Sequence, residues 1–406
     1  MDRREFLQLA SLAGLSVVVP FGGKLRADEE PYEGPLWVLV NASGGWDPTS
    51  LCDPKGRINE DQEDPVNMYF RDDIGEAGRL RYAPVANHEY FFNKYQDRLC
   101  VINGIDTETN SHTTGSRNTW SGRLGEGHPA FSALLAATHG REKPMAMITN
   151  GGYDFTAGLI GPTRVDGANT LLRIAYPNLR DPGDENSGIH TEETWSRIVE
   201  MQRQRLSSLM EVQTLPRVRQ SQSLLFNARS GDNELRRLSE FLPEQLDNSN
   251  NPLRRQAQVA LAGYKAGITL SVNMNTGGFD THSNHDNSHI PRLEQVLDGI
   301  DFLMDEAERL GVADKVCVAV GSDFGRTPWY NDNMGKDHWS ITSMVFMGAG
   351  IPGNTVIGAT DDYHRPLTVN PDTLELDERG IRIKPVHIHK AMRRLAGITE
   401  EMSAQF

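Results

Sequence analysis

The sequence predicts an α/β protein with a mostly parallel central sheet that helices cover on both faces. Short apolar runs, among them 36–40 and 316–320, alternate with longer segments in which apolar residues recur at helical spacing. Strands that are apolar along their whole length are typical of parallel sheets buried on both sides. The 406 residues are enough for one large α/β domain or two smaller ones.

Short apolar runs predict the strands. In chain order they cover residues 36–40, 99–102, 145–148, 268–274, 316–320, 344–348 and 355–358. Runs of this length between turn residues are more typical of buried strands than of helices. The polar stretch 52–98, between the first two runs, predicts an irregular insertion that lines a cleft.

Helical periodicity accounts for most of the remaining chain. It predicts helices over residues 131–137, 192–212, 233–241, 254–266, 290–310 and 387–395. The most regular of these is 290–310, and Gly311 ends it. Region 190–265 is too polar for a central core. It therefore predicts a helical insertion between two halves of the sheet, where a protein partner could bind.

The overall charge limits the classes of partner. The formal net charge of −14 argues against nucleic acid, because phosphate backbones are held by basic surfaces. It also argues against a small anionic substrate unless bound metal ions reverse the local field. The cysteines Cys52, Cys100 and Cys317 are odd in number and far apart, which predicts neither a disulfide framework nor a cysteine zinc motif.

The first 27 residues have the pattern of an export signal. Arg3 and Arg4 precede an apolar stretch over 9–19, and small and polar residues follow up to Ala27. The order Arg-Arg-x-Phe-Leu is typical of the twin-arginine type. The sequence thus predicts a periplasmic or extracellular protein whose single mature domain covers 28–406. No apolar run of that domain is long enough for a membrane span.

Carboxylates follow several of the predicted strands. A Gly-Gly-aromatic-Asp sequence ends in Asp47, in Asp154 and in Asp280, each time after an apolar run, and Asp323 follows the strand over 316–320. The carboxyl ends of parallel strands meet at one edge of a sheet, where such proteins bind ligands. We therefore expect Asp47, Asp280 and Asp323 to lie together although they are far apart in the chain.

These carboxylates and nearby histidines predict a divalent metal site. His282 lies two residues after Asp280, and His338 lies in a polar loop after Asp323. Clustered carboxylates repel one another unless a cation lies between them. His285, His289, Asp337 and His112 remain open between direct ligands and outer or solvent-facing residues. Asp154 has no histidine beside it, which favours a structural role.

Ser111 is the candidate nucleophile. It lies at the predicted start of a helix, so a helix N-cap is the alternative role. No Gly-x-Ser-x-Gly elbow surrounds it. Arg117 and Arg326 are candidates for binding the oxygens of an anionic ester, and surface salt bridges are their alternative. Phosphate-loop and dinucleotide fingerprints are absent from the sequence.

Several motifs together resemble a known family. The twin-arginine start and the segments 276–282, 322–328 and 337–339 resemble the exported bacterial domain-of-unknown-function family 1501. That family is grouped with the alkaline phosphatase and sulfatase superfamily. The resemblance implies a three-layer α/β/α sandwich with a two-metal site and Ser111 as nucleophile. The metal ligands that it implies are Asp47, Asp280, His282, Asp323 and His338.

The chain departs from the superfamily pattern at two places. The spacing from Asp280 to His282 is shorter than usual, and Phe324 follows Asp323 where the superfamily has a histidine. Either Asp337 and His338 compensate for this departure, or one of the two metal sites is lost.

The hypothesis is an exported metal-dependent hydrolase of phosphate or sulfate esters, acting on a small molecule or a glycan through Ser111. One or two ions are expected. The candidate metals are zinc, manganese, calcium and magnesium, and mixed Asp and His ligands favour zinc or manganese. One alternative is a non-catalytic exported binding protein that retains the fold. Another is a metal-dependent mutase on the same scaffold.

Overall fold

A computed structural model describes residues 32–141, 143–165, 176–181, 184, 186–215, 218–219, 221–222, 225 and 232–406. The predicted export signal over 1–27 lies outside the described residues. Among the described helices, none combines the length and the apolar character that crossing a membrane requires.

The strands of the described chain, in order, are β1 (Leu36–Ala42), β2 (Gly75–Ala77), β3 (Leu80–Tyr82), β4 (Leu99–Asp106), β5 (Met147–Thr149), β6 (Thr163–Arg164), β7 (Ser271–Thr276), β8 (Val316–Ser322), β9 (Gly325–Arg326), β10 (His338–Trp339), β11 (Ile341–Gly348) and β12 (Thr355–Ile357). Eight of them form the central sheet in the order β12-β4-β11-β8-β1-β7-β5-β6. Only β11 runs against its neighbours, so the sheet is mostly parallel, as predicted.

The longer helices of the described chain are α1 (His88–Tyr95), α2 (His112–Ser121), α3 (Phe131–His139), α4 (Glu192–Val212), α5 (Asp232–Phe241), α6 (Pro252–Lys265), α7 (His285–Arg309), α8 (Pro385–Leu395) and α9 (Glu400–Gln405). They cover the sheet on both faces. Strand β1 shows why, because Val38 and Val40 belong to one buried core while Trp37 and Leu39 belong to another. Successive side chains of a strand point to opposite faces. The predicted three-layer α/β/α fold is therefore confirmed.

Two predictions about chain regions differ from the structure. Residues 52–98 are not irregular throughout, since they contain β2, β3 and α1, and Phe91 and Phe92 are buried in the core. Within region 190–265, α6 also joins the core, through the fully buried Leu253, Ala257 and Leu261. These three recur every four residues, so one apolar stripe suffices to bury an otherwise polar helix. Helix α4 has only Leu206 buried among its described side chains.

The ends of β1, β7 and β8 lie level with one another. Ala42 pairs with Thr276 on one side and with Ser322 on the other. The turn after β1 passes so close to the turn after β7 that a Cβ on Gly44 would lie 2.6 Å from the backbone nitrogen of Asp280. Gly44 also has a φ of 119°, which favours glycine. The strand-end turns that carry the acidic residues are thereby brought together.

Candidate metal centre

Three imidazoles converge on the carboxylate of Asp280. The Nε2 atoms of His282 and His338 each lie 3.0 Å from Asp280 Oδ1, and His112 Nε2 lies 3.3 Å from Asp280 Oδ2. The two Nε2 atoms of His282 and His338 are themselves 3.0 Å apart. We call these four residues the metal cluster. Its side chains are partly exposed at the carboxyl edge of the sheet, with 47% exposure for Asp280.

Each imidazole of the metal cluster is held from behind through its other ring nitrogen. His282 Nδ1 lies 2.7 Å from Asp337 Oδ1, His338 Nδ1 lies 2.8 Å from the carbonyl oxygen of Asn110, and His112 Nδ1 lies 2.9 Å from Asp323 Oδ2. All three partners accept hydrogen bonds, so each Nδ1 carries the proton. Metal-binding histidines are typically oriented in this way, by an acceptor behind the ring.

The proton positions leave an excess of acceptors at the centre. A neutral imidazole with its proton on Nδ1 presents a lone pair at Nε2, and a carboxylate has only acceptors. Protonating both Nε2 atoms of His282 and His338 would place two hydrogens between nitrogens only 3.0 Å apart. Arg326 donates to Asp280 Oδ1 but to none of the three Nε2 atoms. A divalent cation can lie between Asp280, His112 and His338, whose ligand atoms are all within 4.8 Å of one another, with His282 beside them. The donor set of the metal cluster therefore fits a divalent metal ion.

Asp323 stands behind His112. Its Oδ2 accepts hydrogen bonds from the backbone nitrogen of Gly44 at 3.0 Å and from His112, while its Oδ1 is buried without a hydrogen-bond partner in the described chain. Burial raises the pKa of Asp323, against the effect of His112 and Gly44. Asp323 thus orients a ligand, and its unpartnered oxygen is a second acceptor beside the metal cluster.

Arg326 is buried, and each of its three nitrogens donates a hydrogen bond. Its guanidinium donates to the carbonyl oxygens of Gly44, Gly45 and Lys336 and, over 2.7 Å, to Asp280 Oδ1. Burial alone would raise the pKa of Asp280, but the hydrogen bond and the charge of Arg326 outweigh it and hold the pKa well below its usual range. The prediction that Arg326 binds ester oxygens does not match this geometry. The guanidinium instead fixes Asp280 against the turn after β1.

Asp47 lies in a different set of residues, which we call the buried cluster: Asp47, Thr281, His285, His289 and Lys336. The ammonium of Lys336 lies 2.6 Å from Asp47 Oδ2, and both side chains are fully buried. Lys336 Nζ also donates to Asn67 Oδ1 at 2.8 Å. Burial acts to raise the pKa of Asp47, but Lys336 and His285 outweigh it and keep the pKa well below its usual range.

The hydrogen bonds of the buried cluster close into a ring. The backbone N–H of Asp47 donates to His289 Nε2 at 2.8 Å, so His289 Nδ1 carries the proton and donates to Thr281 Oγ1. Thr281 Oγ1 donates to His285 Nδ1, and His285 Nε2 donates to Asp47 Oδ2 at 3.2 Å. Every donor meets an acceptor. The sequence expects Asp47 beside Asp280 and Asp323 and leaves His285 and His289 open between direct ligands and outer or solvent-facing residues. In the structure both histidines are fully buried around Asp47.

Ser111 lies at the N-terminus of α2, next to the metal cluster. Its neighbours on both sides contact the cluster, since Asn110 accepts from His338 and His112 is a member. The hydroxyl is exposed and makes no capping hydrogen bond. Helix α2 can come this close because a Cβ on Gly115 would lie only 2.4 Å from the carbonyl oxygen of Asp323.

The other predicted side chains have structural partners. Arg117 donates to the carbonyl oxygen of Leu124 and lies 3.6 Å from Glu126, so its guanidinium is bound away from the metal cluster. Asp154 accepts from Thr149 and from Arg164, which agrees with a structural role.

Sequence reasoning left His112 and Asp337 open and missed Lys336. His112 and Asp337 could have been found by their position beside predicted site residues, because His112 follows Ser111 and Asp337 precedes His338. No pattern in the sequence marks Lys336 as a buried cation.

Comparison of the sequence with protein families gives one match over most of the chain. Residues 36–375 match the family described as "Protein of unknown function (DUF1501)". The chain belongs to the DUF1501 family. No curated protein matches this DUF1501 chain.

Solved structures similar to this DUF1501 protein share little sequence with it. The alkaline phosphatase from the Antarctic bacterium TAB5 is 9% identical, with 90% of this chain and 99% of that chain covered and a TM-score of 0.38. The lipoteichoic acid synthase LtaP from Listeria monocytogenes is 8% identical, with 90% and 73% covered and a TM-score of 0.40. The 2-O GAG sulfatase BT1596 is 10% identical, with 90% and 71% covered and a TM-score of 0.35.

Proposed function

We propose that this protein is a metal-dependent hydrolase of phosphate or sulfate esters with a single metal ion in the metal cluster. The observation that carries the proposal is the convergence of three Nε2 atoms on the Asp280 carboxylate, each imidazole being held by an acceptor at Nδ1. The buried cluster supplies its own cation, the ammonium of Lys336, against Asp47. A second ion is therefore not required at Asp47.

In this proposal the chain's own residues have separate tasks. Ser111 is the nucleophile, because its hydroxyl is exposed and free of capping bonds between two residues that contact the metal cluster. The bond from its Oγ to phosphorus or sulfur forms as the bond to the leaving alcohol breaks, and the hydroxyl proton passes to the leaving oxygen. Water then attacks the phosphorus or sulfur and breaks its bond to Oγ, which releases phosphate or sulfate and restores the Ser111 hydroxyl. A bound divalent ion would supply positive charge for the ester oxygens and the attacking hydroxyl. Arg326 positions Asp280, and Asp323 positions His112.

Turnover of two simple esters tests the proposal. Zinc-loaded or manganese-loaded protein is assayed with para-nitrophenyl phosphate and para-nitrophenyl sulfate. We expect hydrolysis of at least one ester, a loss of about 100-fold or more in Ser111→Ala and in Asp280→Asn, and a loss on chelation. Ser116→Ala, on the same helix, is the matched control and keeps wild-type turnover.

The outcomes separate the competing functions. Metal binding without turnover of either ester favours the non-catalytic binding protein. Transfer between positions of a sugar phosphate without uptake of water indicates the mutase. Turnover that survives both Ser111→Ala and chelation contradicts the proposal.

Export through the twin-arginine route is a further part of the proposal, and it is supported by the order of residues 2–7. Changing Arg3 and Arg4 together to lysine is expected to retain the protein in the cytoplasm, measured by cell fractionation. Unchanged periplasmic or extracellular recovery would contradict it.

A further inference from the structure

A basic cleft opens beside the metal cluster at the carboxyl end of β7. Its volume is about 410 Å³, and its walls come from the segment before α6, from the first turns of α6 and α7, and from the turn after β7. Arg255 and Arg292 are its charged lining residues, and Ser249, Asn250, Asn275 and Gln295 are its polar ones. No carboxylate is among the residues that line it.

The charge of the cleft is not neutralised by its described surroundings. Arg255 makes no hydrogen bond or ion pair with the part of the chain that the structure describes. Within those residues Arg292 forms no ion pair and donates one hydrogen bond, to the neutral side chain of Gln295 at 3.1 Å. The nearby carboxylate of Asp298 is already bound by Arg254 and Asn251. Helix α6 begins in the wall at Pro252, so its positive end adds to the two guanidiniums. In a chain of net charge −14, this is a local positive site.

The cleft and the metal cluster share one loop. Thr276 and Gly277 line the cleft, and Asp280 follows three residues later, a span of at most about 11 Å along the chain. A Cβ on Gly277 would meet nothing within 4 Å, so the backbone lies open to a ligand there. Arg292 lies over the same loop, because a Cβ on Gly278 would be 2.8 Å from its Nε.

We infer that this cleft binds a second anionic group of the substrate, so that the ester at the metal cluster belongs to a molecule with at least two anionic groups. The inference rests on the proposed function, because the first group is the ester at the metal cluster. Guanidinium pairs with sulfate, phosphate and carboxylate oxygens through two parallel N–H donors. A monoanionic ester leaves Arg255 and Arg292 without a counter-charge and is the poorer substrate.

Binding of two sulfonates that cannot be hydrolysed tests the inference. Calorimetry compares hexanedisulfonate with hexanesulfonate on the metal-loaded protein. We expect the disulfonate to bind at least about 10-fold more tightly, because charge-assisted hydrogen bonds at both ends add to its affinity. Arg255→Gln and Arg292→Gln remove this advantage, and Arg292→Lys retains part of it because the charge remains.

The matched control is Arg309→Gln. Arg309 lies on the same helix as Arg292, about 25 Å further along, and pairs with Glu306. The substitution removes the same charge, so it reports any effect of net charge alone, and the disulfonate advantage should persist in it. An equal loss in Arg309→Gln, or no advantage in the wild type, overturns the inference.

A second arm separates this inference from the proposed function. On metal-stripped protein, hexanesulfonate binding that depends on Arg255 and Arg292 establishes the anion site even where neither simple ester is hydrolysed. Conversely, turnover that depends on Ser111, combined with equal affinities for both sulfonates, contradicts the cleft inference and leaves the hydrolase intact.

Discussion

Two clusters at the same edge of the sheet each combine an aspartate with histidines. They differ in which ring nitrogens carry a proton. The metal cluster has Asp280 with three imidazoles, and the buried cluster has Asp47 with two imidazoles and Lys336. In the buried cluster every donor meets an acceptor, and the ammonium of Lys336 lies 2.6 Å from Asp47. In the metal cluster three Nε2 atoms lie within 3.3 Å of the Asp280 carboxylate, and each ring has an acceptor behind it at Nδ1.

The difference shows that histidines and carboxylates in proximity do not by themselves identify a metal site. The position of each proton, fixed by the partner behind the ring, decides whether a cation is needed. A side chain from within the chain can supply that cation, as Lys336 does, and it then brings its own proton donors. We therefore expect Asp47, which has an internal ammonium, and Asp280, which would bind an external metal ion, to respond differently to substitution.

The largest expected effect is on stability, at the buried ion pair. Lys336→Met leaves the carboxylate of Asp47 buried and unpaired, which is expected to cost about 3–5 kcal/mol of unfolding free energy. The double variant Asp47→Asn with Lys336→Met should recover much of this loss. Chemical denaturation in the presence of a chelator measures both.

The exposed pair of Lys94 with Asp301 and Asp305 is the control for that prediction. Lys94→Met is expected to cost about 1 kcal/mol or less, because exposed ion pairs contribute little. Equal losses of unfolding free energy in Lys336→Met and Lys94→Met would contradict the prediction that the buried ion pair matters more than the exposed one. So would a Lys336→Met protein that a divalent ion restores to full stability, because Asp47 would then hold a metal.

The second effect is on metal affinity. Asp337 accepts the Nδ1–H of His282, and this hydrogen bond lowers the pKa of Asp337. Asp337→Ala frees the imidazole to rotate and is expected to weaken metal binding about 10–100-fold. Competition with a coloured chelator measures the affinity. Asp332→Ala, an exposed position in the same loop, should bind metal as the wild type does, and a similar loss in both variants would contradict the assignment.

The smallest effect is a pH dependence of stability. Burial lowers the pKa of His285 and of His289, so both are neutral in the folded chain and gain protons on unfolding below about pH 6.5. The unfolded state then binds more protons, and stability falls as the pH falls below that value. Each imidazole adds up to about 1.4 kcal/mol per pH unit to the slope of the unfolding free energy against pH.

His289→Gln isolates that contribution. Its amide oxygen can still accept from the backbone N–H of Asp47, but it does not titrate. The slope of unfolding free energy between pH 6.5 and about pH 5 should decrease by about 1.4 kcal/mol per pH unit, measured with chelator present. The exposed position His190→Gln is the control. An unchanged slope in His289→Gln would mean that His289 is not neutral in the folded state.

The sequence predicted the sheet and the edge at which its acidic residues lie, because both follow from local pattern and topology. Apolar runs located the strands, and parallel direction placed the turns after β1, β7 and β8 together. The membership of the two clusters was not predictable in this way. His285 and His289 lie only three and seven residues after His282, yet they begin a helix and face the core. Lys336 is buried by contacts with Asp47 and Asn67, which are more than 250 residues away in sequence.

The most direct test of the single-metal proposal is a crystal structure of the protein with zinc, collected at the zinc absorption edge. We expect one anomalous peak per chain, surrounded by Asp280, His112, His282 and His338, and none beside Asp47. An anomalous peak between Asp47 and His285, or no peak at Asp280, would contradict it.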